Sequence, residues 1–252
     1  MYSEAFVTCA EPGSSEEICT DHYGRVLVRF PWDSPDARRG AQGGTRASCW
    51  LRVLQPWAGS HWGFHFTPRV GMEVVVQFLD GDPDRPFVLG CLPNAANVPP
   101  VELPAKRTQS AIRTQSSPGG GGYNELRFED AAGSEEVYLR AQRDQRVEVL
   151  NDRAVAVTRD TNSQTGRDES VYVGRNRSTD IAGNEQRAVE GNLNVSVGGD
   201  ALDDVTGDRT VITRKSLTAH VDQEMRLTVN DALRAEVGGS SGTSAAMTPD
   251  EV

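Results

Sequence analysis

Residues 181–207, IAGNEQRAVEGNLNVSVGGDALDDVTG, contain the pattern that decides the fold: a β-branched residue returns every eight positions. The pattern continues in both directions, from Val149 to Val237, and all twelve positions at this spacing are β-branched. Thr165 and Thr213 take two of these positions. The ten aliphatic positions, called the octad residues below, are Val149, Val157, Val173, Ile181, Val189, Val197, Val205, Val221, Val229 and Val237.

A repeat of eight residues is incompatible with a buried helix face. Eight residues turn an α-helix through about 800°, so successive octad residues would drift about 80° around its surface. Eight is an even number, however, and on β-strands every octad residue therefore returns to the same face. β-branched side chains also fit a pleated surface well. The repeat predicts short strands of about five residues joined by corners.

Glycine and asparagine mark the expected corners. Several octad residues are followed two positions later by glycine, and Asp or Asn follows at the third position over eight octads. Such residues tolerate positive φ, so we expect left-handed backbone where the chain bends between strands. The predicted corner residues are Gly183, Gly191, Gly199, Gly207, Asn184 and Asn192.

A single chain with this repeat would expose its valine stripe and its unpaired strand edges to water. Neither is stable alone, so several copies must wind about one axis with the valines inside. We therefore expect a homotrimer that forms an intertwined, triple-stranded β-helix. A coiled coil would need a period near 7 or 11, the glycine pattern of nine-residue calcium rolls is absent, and a polar linker would not keep its phase for about 90 residues.

Composition narrows the function classes. The 252 residues carry a formal charge of −10 without a basic tract, which argues against a nucleic-acid partner. Met1 to Thr20 does not resemble a signal peptide, and no apolar run is long enough to span a membrane. The four cysteines lack metal-site spacing. We expect reduced thiols in or near a small β core, with a Cys9–Cys19 or a Cys49–Cys91 bridge as open alternatives.

The first hundred residues contain short alternating strands separated by Gly/Pro turns. This arrangement, without helical periodicity, predicts a small closed β-barrel. The polar stretch Pro31 to Ala47 is expected to be a loop. The predicted strands are Ala5 to Cys9, His22 to Phe30, Cys49 to Leu54, Glu73 to Phe78 and Phe87 to Leu92.

These residues resemble the OB-fold module of VgrG spike proteins from type VI secretion systems, which are related to the central spikes of contractile phage tails. The resemblance lies in five runs: DHYGRVLVRFPW (21–32), CWLRV (49–53), QPWAG (55–59), PRVGMEV (68–74) and FLDGDPDRP (78–86). Its marker residues are Gly24, Arg25, Trp32, Trp50, Trp57, Gly71, Gly81 and Asp82. The motifs NELRFED (124–130) and VYLRAQ (137–142) extend the resemblance toward the repeat.

The resemblance implies an all-β chain with a five-stranded OB-fold barrel followed by the octad-repeat needle. The expected domains are the barrel at 1–97, a flexible linker at 98–123, a hairpin beginning the shaft at 124–146, the needle at 147–237, and a tip or disordered tail at 238–252. The large hub domains of the family have no counterpart here, so the chain is expected to be a shortened or split copy. Without a hub, it should not dock on tail-tube proteins by itself.

The implied function is mechanical. A trimeric spike punctures a target membrane transiently and carries an effector or a PAAR-like cap on its tip. Such a spike is assembled in the cytoplasm and secreted by the apparatus without a signal peptide. Two other classes stay open: a receptor-binding tail fibre, and an OB-fold module that binds oligosaccharide or nucleic acid.

No catalytic, metal or cofactor site is expected. His61 and His65 have helical metal-pair spacing, but their context indicates a loop leading into a strand, where they would serve packing. Trp32, Trp50, Trp57 and Trp62 could stack on a ligand, although packing of the barrel and its trimer contacts is favoured. No nucleophile elbow or phosphate loop is present, so we expect a structural protein, not an enzyme.

Overall fold

The computed structural model describes residues 1–9, 15–32, 49–235 and 245–247. It divides into two compact units, Met1–Asn162 and Ser163–Val252. The first unit contains a five-stranded sheet and a separate three-stranded sheet. No helix among the described residues is long and apolar enough to cross a membrane.

Five strands form the sheet of the N-terminal barrel: β1 (Tyr2–Thr8), β2 (Leu27–Arg29), β3 (Arg52–Val53), β4 (Glu73–Phe78) and β5 (Pro86–Leu92). Their order is β2-β1-β4-β5-β3. β1 lies antiparallel to β2 and β4, and β4 lies antiparallel to β5 with an irregularity between Val75 and Val76. The β3–β5 pair is parallel.

The two edges of this sheet meet at Val26 and Leu51. The Val26 amide donates to the Leu51 carbonyl at 3.0 Å, and the Leu51 amide donates back at 2.8 Å. This bridge joins the ends of β2 and β3 and closes the barrel, so neither edge remains open there. The predicted five-stranded OB-fold barrel is confirmed.

Alternation along the strands builds the core of the barrel. β4 buries every second residue, as a strand does when only one face meets the core. The interior contains small and branched aliphatic side chains and one phenylalanine: Ala5, Val7, Val26, Val28, Leu51, Val74, Val76, Phe78 and Val88.

The cysteines differ from expectation. Cys9 and Cys19 are joined in a disulfide, with Cα atoms 5.5 Å apart. The expectation of reduced thiols is therefore wrong for this pair, because the end of β1 and the segment before β2 lie side by side. Cys49 and Cys91 are not joined to each other and both are exposed.

A three-stranded antiparallel sheet, called the neck sheet below, follows the barrel in sequence. Its strands are β6 (Gln109–Arg113), β7 (Glu125–Glu129) and β8 (Glu136–Arg140), in that order. The predicted hairpin is present as β7 and β8. The expectation of a flexible linker over 98–123 is wrong at β6, which pairs with β7 from Gln109↔Glu129 to Arg113↔Glu125.

The octad stretch contains a bend of two residues at every eighth position. Bends recur from 142–143 through 150–151 and 158–159 to 230–231, and extended segments separate them. The predicted period is therefore present in the backbone. After the last bend, β9 (Leu233–Ala235) pairs antiparallel with β10 (Ala245–Met247). The described part of the predicted tail is thus a strand, while Val237 lies outside the described residues.

Candidate functional site

The octad residues form a half-exposed apolar stripe. Nine of the ten are described, and their side chains are 39% to 55% exposed. Leu150, Tyr172, Leu202 and Ile212 have the opposite parity and are 81% to 95% exposed. The octad residues therefore share the more sheltered face of the extended segments, as the even period predicts. This face is still open to solvent in the single chain.

The backbone of the shaft is unpaired in the same stretch. No backbone–backbone hydrogen bond joins residues 143–232 to one another or to the other residues that the structure describes. Amide and carbonyl groups withdrawn from water need partners. A single chain therefore offers both an apolar stripe and a continuous set of donors and acceptors. The arrangement suits pairing with further copies of the same chain.

The corner residues do not have the expected backbone. Gly183, at the second position of the 182–183 bend, is not among the glycines with positive φ, and the same holds for Gly191, Gly199 and Gly207. The prediction of left-handed corners is therefore wrong. Asn151 and Arg175 occupy the same position in other bends. The bends thus use backbone conformations that any residue adopts, and Asn184 and Asn192 follow them without positive φ.

The neck sheet has one apolar face that is also exposed. Its register places Leu126 between Ile112 and Leu139, and Phe128 beside Val137. Leu126 is half-buried, whereas the other four side chains are exposed. These five residues are called the apolar neck face below. Like the octad stripe, this face is uncovered in one chain, although the backbone of the neck sheet is paired. Exposed apolar area of this kind marks an interaction surface.

The opposite face of the neck sheet is ionic and partly buried. Glu125 is 2% exposed, and its Oε1 accepts a hydrogen bond from Arg113 Nη2 at 2.7 Å. Arg127 Nη1 lies 4.0 Å from Glu125 Oε2, and Arg127 Nη2 donates to Glu136 at 3.1 Å. The hydrogen bond with Glu136, together with the charge of Glu125, raises the pKa of Arg127 above its ordinary value.

Aromatic stacking adds to this ionic face. Tyr123 lies under the guanidinium groups of Arg113 and Arg140, at 4.7 and 3.8 Å from the ring centre, and Arg127 covers Tyr138 at 4.6 Å. Arg140 also donates to the Tyr123 carbonyl. Planar guanidinium groups suit this combination of stacking and directed donation.

The barrel motif residues lie at turns and on the surface. Gly24, Gly71 and Gly81 have φ of 71°, 87° and 78°, a region that favours glycine. Arg25 forms an ion pair with Asp21 at 2.6 Å, and Asp82 accepts from the Asp84 amide at 2.9 Å in a turn. These residues shape loops and bring no reacting groups together.

The tryptophans are not barrel core. Trp32 stacks on Phe30 at 4.5 Å, and Trp57 meets Trp62 edge-on at 4.9 Å, yet all three indoles are more than half exposed. Trp50 is also exposed. The predicted packing of the barrel is thus limited in the single chain to these ring contacts, and the predicted trimer contacts stay a prediction.

Among the described residues, no group with metal-ligand spacing includes His61 or His65. His61 has a φ of 65°, and His65 Nε2 lies 3.2 Å from the Thr67 hydroxyl. Both line a shallow cavity of about 500 Å³ next to Trp62 and Phe64. Within the part of the chain that the structure describes, one group of side chains has metal-site spacing, and it is Cys9, Glu16 and Cys19. Two of its members are already bonded to each other.

One contact set connects the barrel to the segment before β7. Glu17 Oε1 accepts from the Gly119 amide at 2.6 Å, and Arg69 Nη2 donates to the Gln115 carbonyl at 2.7 Å. The Glu17 carbonyl accepts from the Val70 amide at 3.0 Å. Hydrogen bonds from Ser117 and Gly119 hold the pKa of Glu17 below its usual value, and the charge of Arg69 acts in the same direction. Sequence reasoning missed these contacts because 102 residues separate Glu17 from Gly119.

Two protein families match the chain in succession. Residues 18–92 match the type VI secretion system/phage-baseplate injector OB domain. Residues 110–211 match the bacteriophage T4 gp5 C-terminal trimerisation domain. The first match covers most of the barrel, and the second covers the neck sheet and much of the octad stretch.

Curated relatives agree with both matches. Type VI secretion system spike protein VgrG4b of Pseudomonas aeruginosa is 50% identical over 151 residues, which are 60% of this chain and 18% of that protein. VgrG1a of the same organism is 50% identical over 139 residues, 54% of this chain and 21% of its own length. Actin cross-linking toxin VgrG1 of Vibrio cholerae is 48% identical over 138 residues, 55% of this chain and 12% of its own length.

The chain spans about a fifth or less of the length of these relatives. The resemblance that the barrel and shaft motifs indicated is nevertheless confirmed, because the matched residues include both parts in the expected order. The chain is thus similar to the VgrG spike proteins of type VI secretion systems, with a region that matches an injector OB domain followed by a region that matches a trimerisation domain.

Proposed function

We propose that this chain is the barrel-and-needle part of a homotrimeric spike in a contractile injection apparatus. The observation that carries the proposal is the octad stripe, which is apolar, in phase with the backbone bends, and open to solvent in one chain. Three copies wound as a triple-stranded β-helix would bury this stripe and pair the free backbone groups. The match to a trimerisation domain supports the number of copies.

Stiffness is the property that such a spike needs, and the octads supply it. Each valine removed from water contributes about 1.5 kcal/mol before conformational entropy is subtracted. A layer contains three such residues, and its strands are joined by hydrogen bonds between copies. Local bending would therefore break contacts in all three chains at once. The needle is expected to transmit force along its axis without unfolding.

The surrounding parts of the apparatus follow from the same proposal. The needle at 147–237 would be the part that enters the target membrane, and 238–252 would form the tip that receives a PAAR-like cap or an effector. Docking on tail-tube proteins would require the hub domains that the resemblance implies. The spike would be assembled in the cytoplasm and exported by the apparatus itself.

The proposed role is structural. The name of one relative records actin cross-linking, but its matched part is 12% of that protein, so the name carries no activity to this chain. The ion pairs of the buried Glu125 in the neck sheet serve packing. The chain would act through assembly and force.

A domain exchange tests this function directly. Residues 18–211 of this chain would replace the matched segment of VgrG1a, and secretion of a type VI substrate would be measured in a strain lacking that spike. We expect the chimera to restore secretion, and the same chimera carrying Val197→Asp to fail while its Ser196→Asp counterpart succeeds. A folded, trimeric chimera that restores no secretion would contradict the proposed function.

A further inference from the structure

The Cys9–Cys19 disulfide lies next to the contacts that join the barrel to residues 115–119, the segment between β6 and β7 of the neck sheet. Cys9 follows β1 directly, and β1 is an inner strand of the barrel sheet. Cys19 is buried and stands two residues after Glu17, the residue that holds the Gly119 amide. The disulfide therefore attaches the short stretch around Glu17 and Cys19, called the Glu17 segment below, to the end of an inner strand. Breaking it would leave this segment with weaker contacts.

Single hydrogen bonds between described residues also hold the Glu17 segment in place. The Val70 amide donates to the Glu17 carbonyl at 3.0 Å, and the Thr20 hydroxyl donates to the Arg25 carbonyl at 3.0 Å. Each of these hydrogen bonds is worth about 1 kcal/mol. A covalent bond between Cys9 and Cys19 restricts the segment far more than either of them.

We propose that Cys9 and Cys19 form a redox-controlled latch that fixes the Glu17 segment and, through it, the 115–119 segment of the neck. In the oxidised chain, Glu17 is held where the Gly119 amide can donate to it. In the reduced chain, the segment moves more freely and the neck loses part of its attachment to the barrel. This inference does not depend on the role of the spike.

The contact between Glu16 and Cys9 suits the reduced state of the latch. Glu16 Oε2 lies 3.6 Å from Cys9 Sγ. A disulfide sulfur has no proton to donate, whereas a Cys9 thiol can donate to this carboxylate. The same neighbours therefore serve both states, with a covalent bond in one and a weak hydrogen bond in the other.

The chemistry is thiol–disulfide exchange with a small disulfide oxidant such as oxidised glutathione. Cys9 is less buried than Cys19, so the Cys9 thiolate attacks the oxidant, forms a mixed disulfide and releases one glutathione thiolate. The Cys19 thiolate then displaces the second glutathione. The two cysteines lose two protons and two electrons in total, and one oxidised glutathione becomes two reduced molecules. A reducing cytoplasm favours the open latch, and an oxidising exterior favours the closed one.

Amide hydrogen exchange in residues 115–122 measures the effect of the disulfide on the segment that Glu17 holds. The full chain would be equilibrated with oxidised glutathione or with a phosphine reductant, in the presence of a chelator. Alkylation and mass spectrometry would identify the protected cysteines, and amide exchange would be followed in 115–122. We expect Cys9 and Cys19 to be protected only after oxidation, and exchange at Gly119 to be about tenfold slower in the oxidised chain.

Three variants make the result decisive. Cys9→Ser/Cys19→Ser should show the faster exchange in both conditions, and Cys49→Ser/Cys91→Ser should keep the full redox effect. In the Glu17→Gln variant, the Gly119 amide should exchange quickly whether or not the disulfide is present. The substitution weakens the acceptor of this amide directly, so fixing the Glu17 segment no longer protects it.

Two outcomes would overturn the proposal. Equal exchange at 115–122 in the oxidised and reduced chains would show that the bond does not control the neck. Stoichiometric zinc bound by the reduced chain without chelator, with Cys9 and Cys19 still alkylated after oxidation, would show that Cys9, Glu16 and Cys19 are a metal site instead.

Discussion

The barrel and the shaft handle their apolar residues in opposite ways. The barrel surrounds its valines with its own strands, and Val26, Val74 and Val76 are fully buried within one chain. The shaft has valines at equally regular positions, yet the nine described octad residues are about half exposed, and the described residues of one chain give the backbone of 143–232 no partner. The barrel therefore completes its apolar core within one chain, whereas the octad stripe stays uncovered in the described part of one chain. The neck sheet is intermediate, because its backbone is paired but its apolar face is open.

The largest expected effect is a charge in the shaft interior. Val197→Asp would place three carboxylates in one layer of a trimer, and an unpaired buried charge is among the costliest changes known. We expect loss of the trimer with an intact barrel, measured by sedimentation together with circular dichroism. Ser196→Asp is the matched control, because the neighbouring residue on a strand faces outward. A trimeric Val197→Asp chain with normal melting would contradict the assignment of the interior face.

A cavity in the barrel should lower the stability of the barrel and leave the trimer intact. Leu51 is fully buried at the bridge that closes the barrel, so Leu51→Ala should lower the free energy of barrel unfolding by about 3 kcal/mol. The oligomer mass should not change, since the barrel core lies within one chain. Leu54→Ala, at an exposed position, should cost less than about 1 kcal/mol. Dissociation of the trimer by Leu51→Ala would show that barrel and shaft do not fold independently.

The neck sheet should respond to loss of its buried carboxylate. Glu125→Ala leaves Arg113 and Arg127 without their shared partner, and we expect destabilisation of about 2 kcal/mol in denaturant melts. The arginines are partly exposed, which keeps the cost below that of a fully buried pair. Glu136→Ala removes an exposed partner of Arg127 and should cost under about 1 kcal/mol. Equal losses in the two variants would remove any special role for burial of Glu125.

The smallest expected effect is that of replacing glycine by alanine, which should differ between a barrel turn and a shaft corner. Gly71 has a φ of 87°, so Gly71→Ala should destabilise the barrel by about 1 to 2 kcal/mol. Gly183 lies in a bend without positive φ, and an added Cβ would meet nothing within 4 Å in the single chain. Gly183→Ala should therefore change trimer stability by less than about 1 kcal/mol. A large loss at Gly183 would indicate that neighbouring copies approach this corner closely.

Some features were predictable because their signals are local. The position of Glu73–Phe78 among short strands with Gly/Pro turns predicted β4 to the residue, and the even period of the octads predicted which side chains share a face. β6 was missed because five residues with a single large aliphatic side chain, Ile112, carry little pattern of their own. They become a strand by pairing with β7, which lies more than ten residues further along the chain.

Other features depend on contacts that one sequence does not display. The Cys9–Cys19 bond and the Glu17–Gly119 hydrogen bond depend on how loops fold back onto the barrel. The prediction of left-handed backbone at the corner glycines was wrong for a different reason. Glycine is common at bends, but Asn151 and Arg175 make the same bend, so the period is set by the alternation of extended and bent backbone and not by special residues.

The central claim is that the octad stripe is an interface between copies of this chain. Sedimentation equilibrium of the full chain at micromolar concentration measures it most directly. The account predicts one species with three times the chain mass of 27.3 kDa, unchanged on dilution. A folded, monodisperse species of 27.3 kDa with the shaft intact would contradict it.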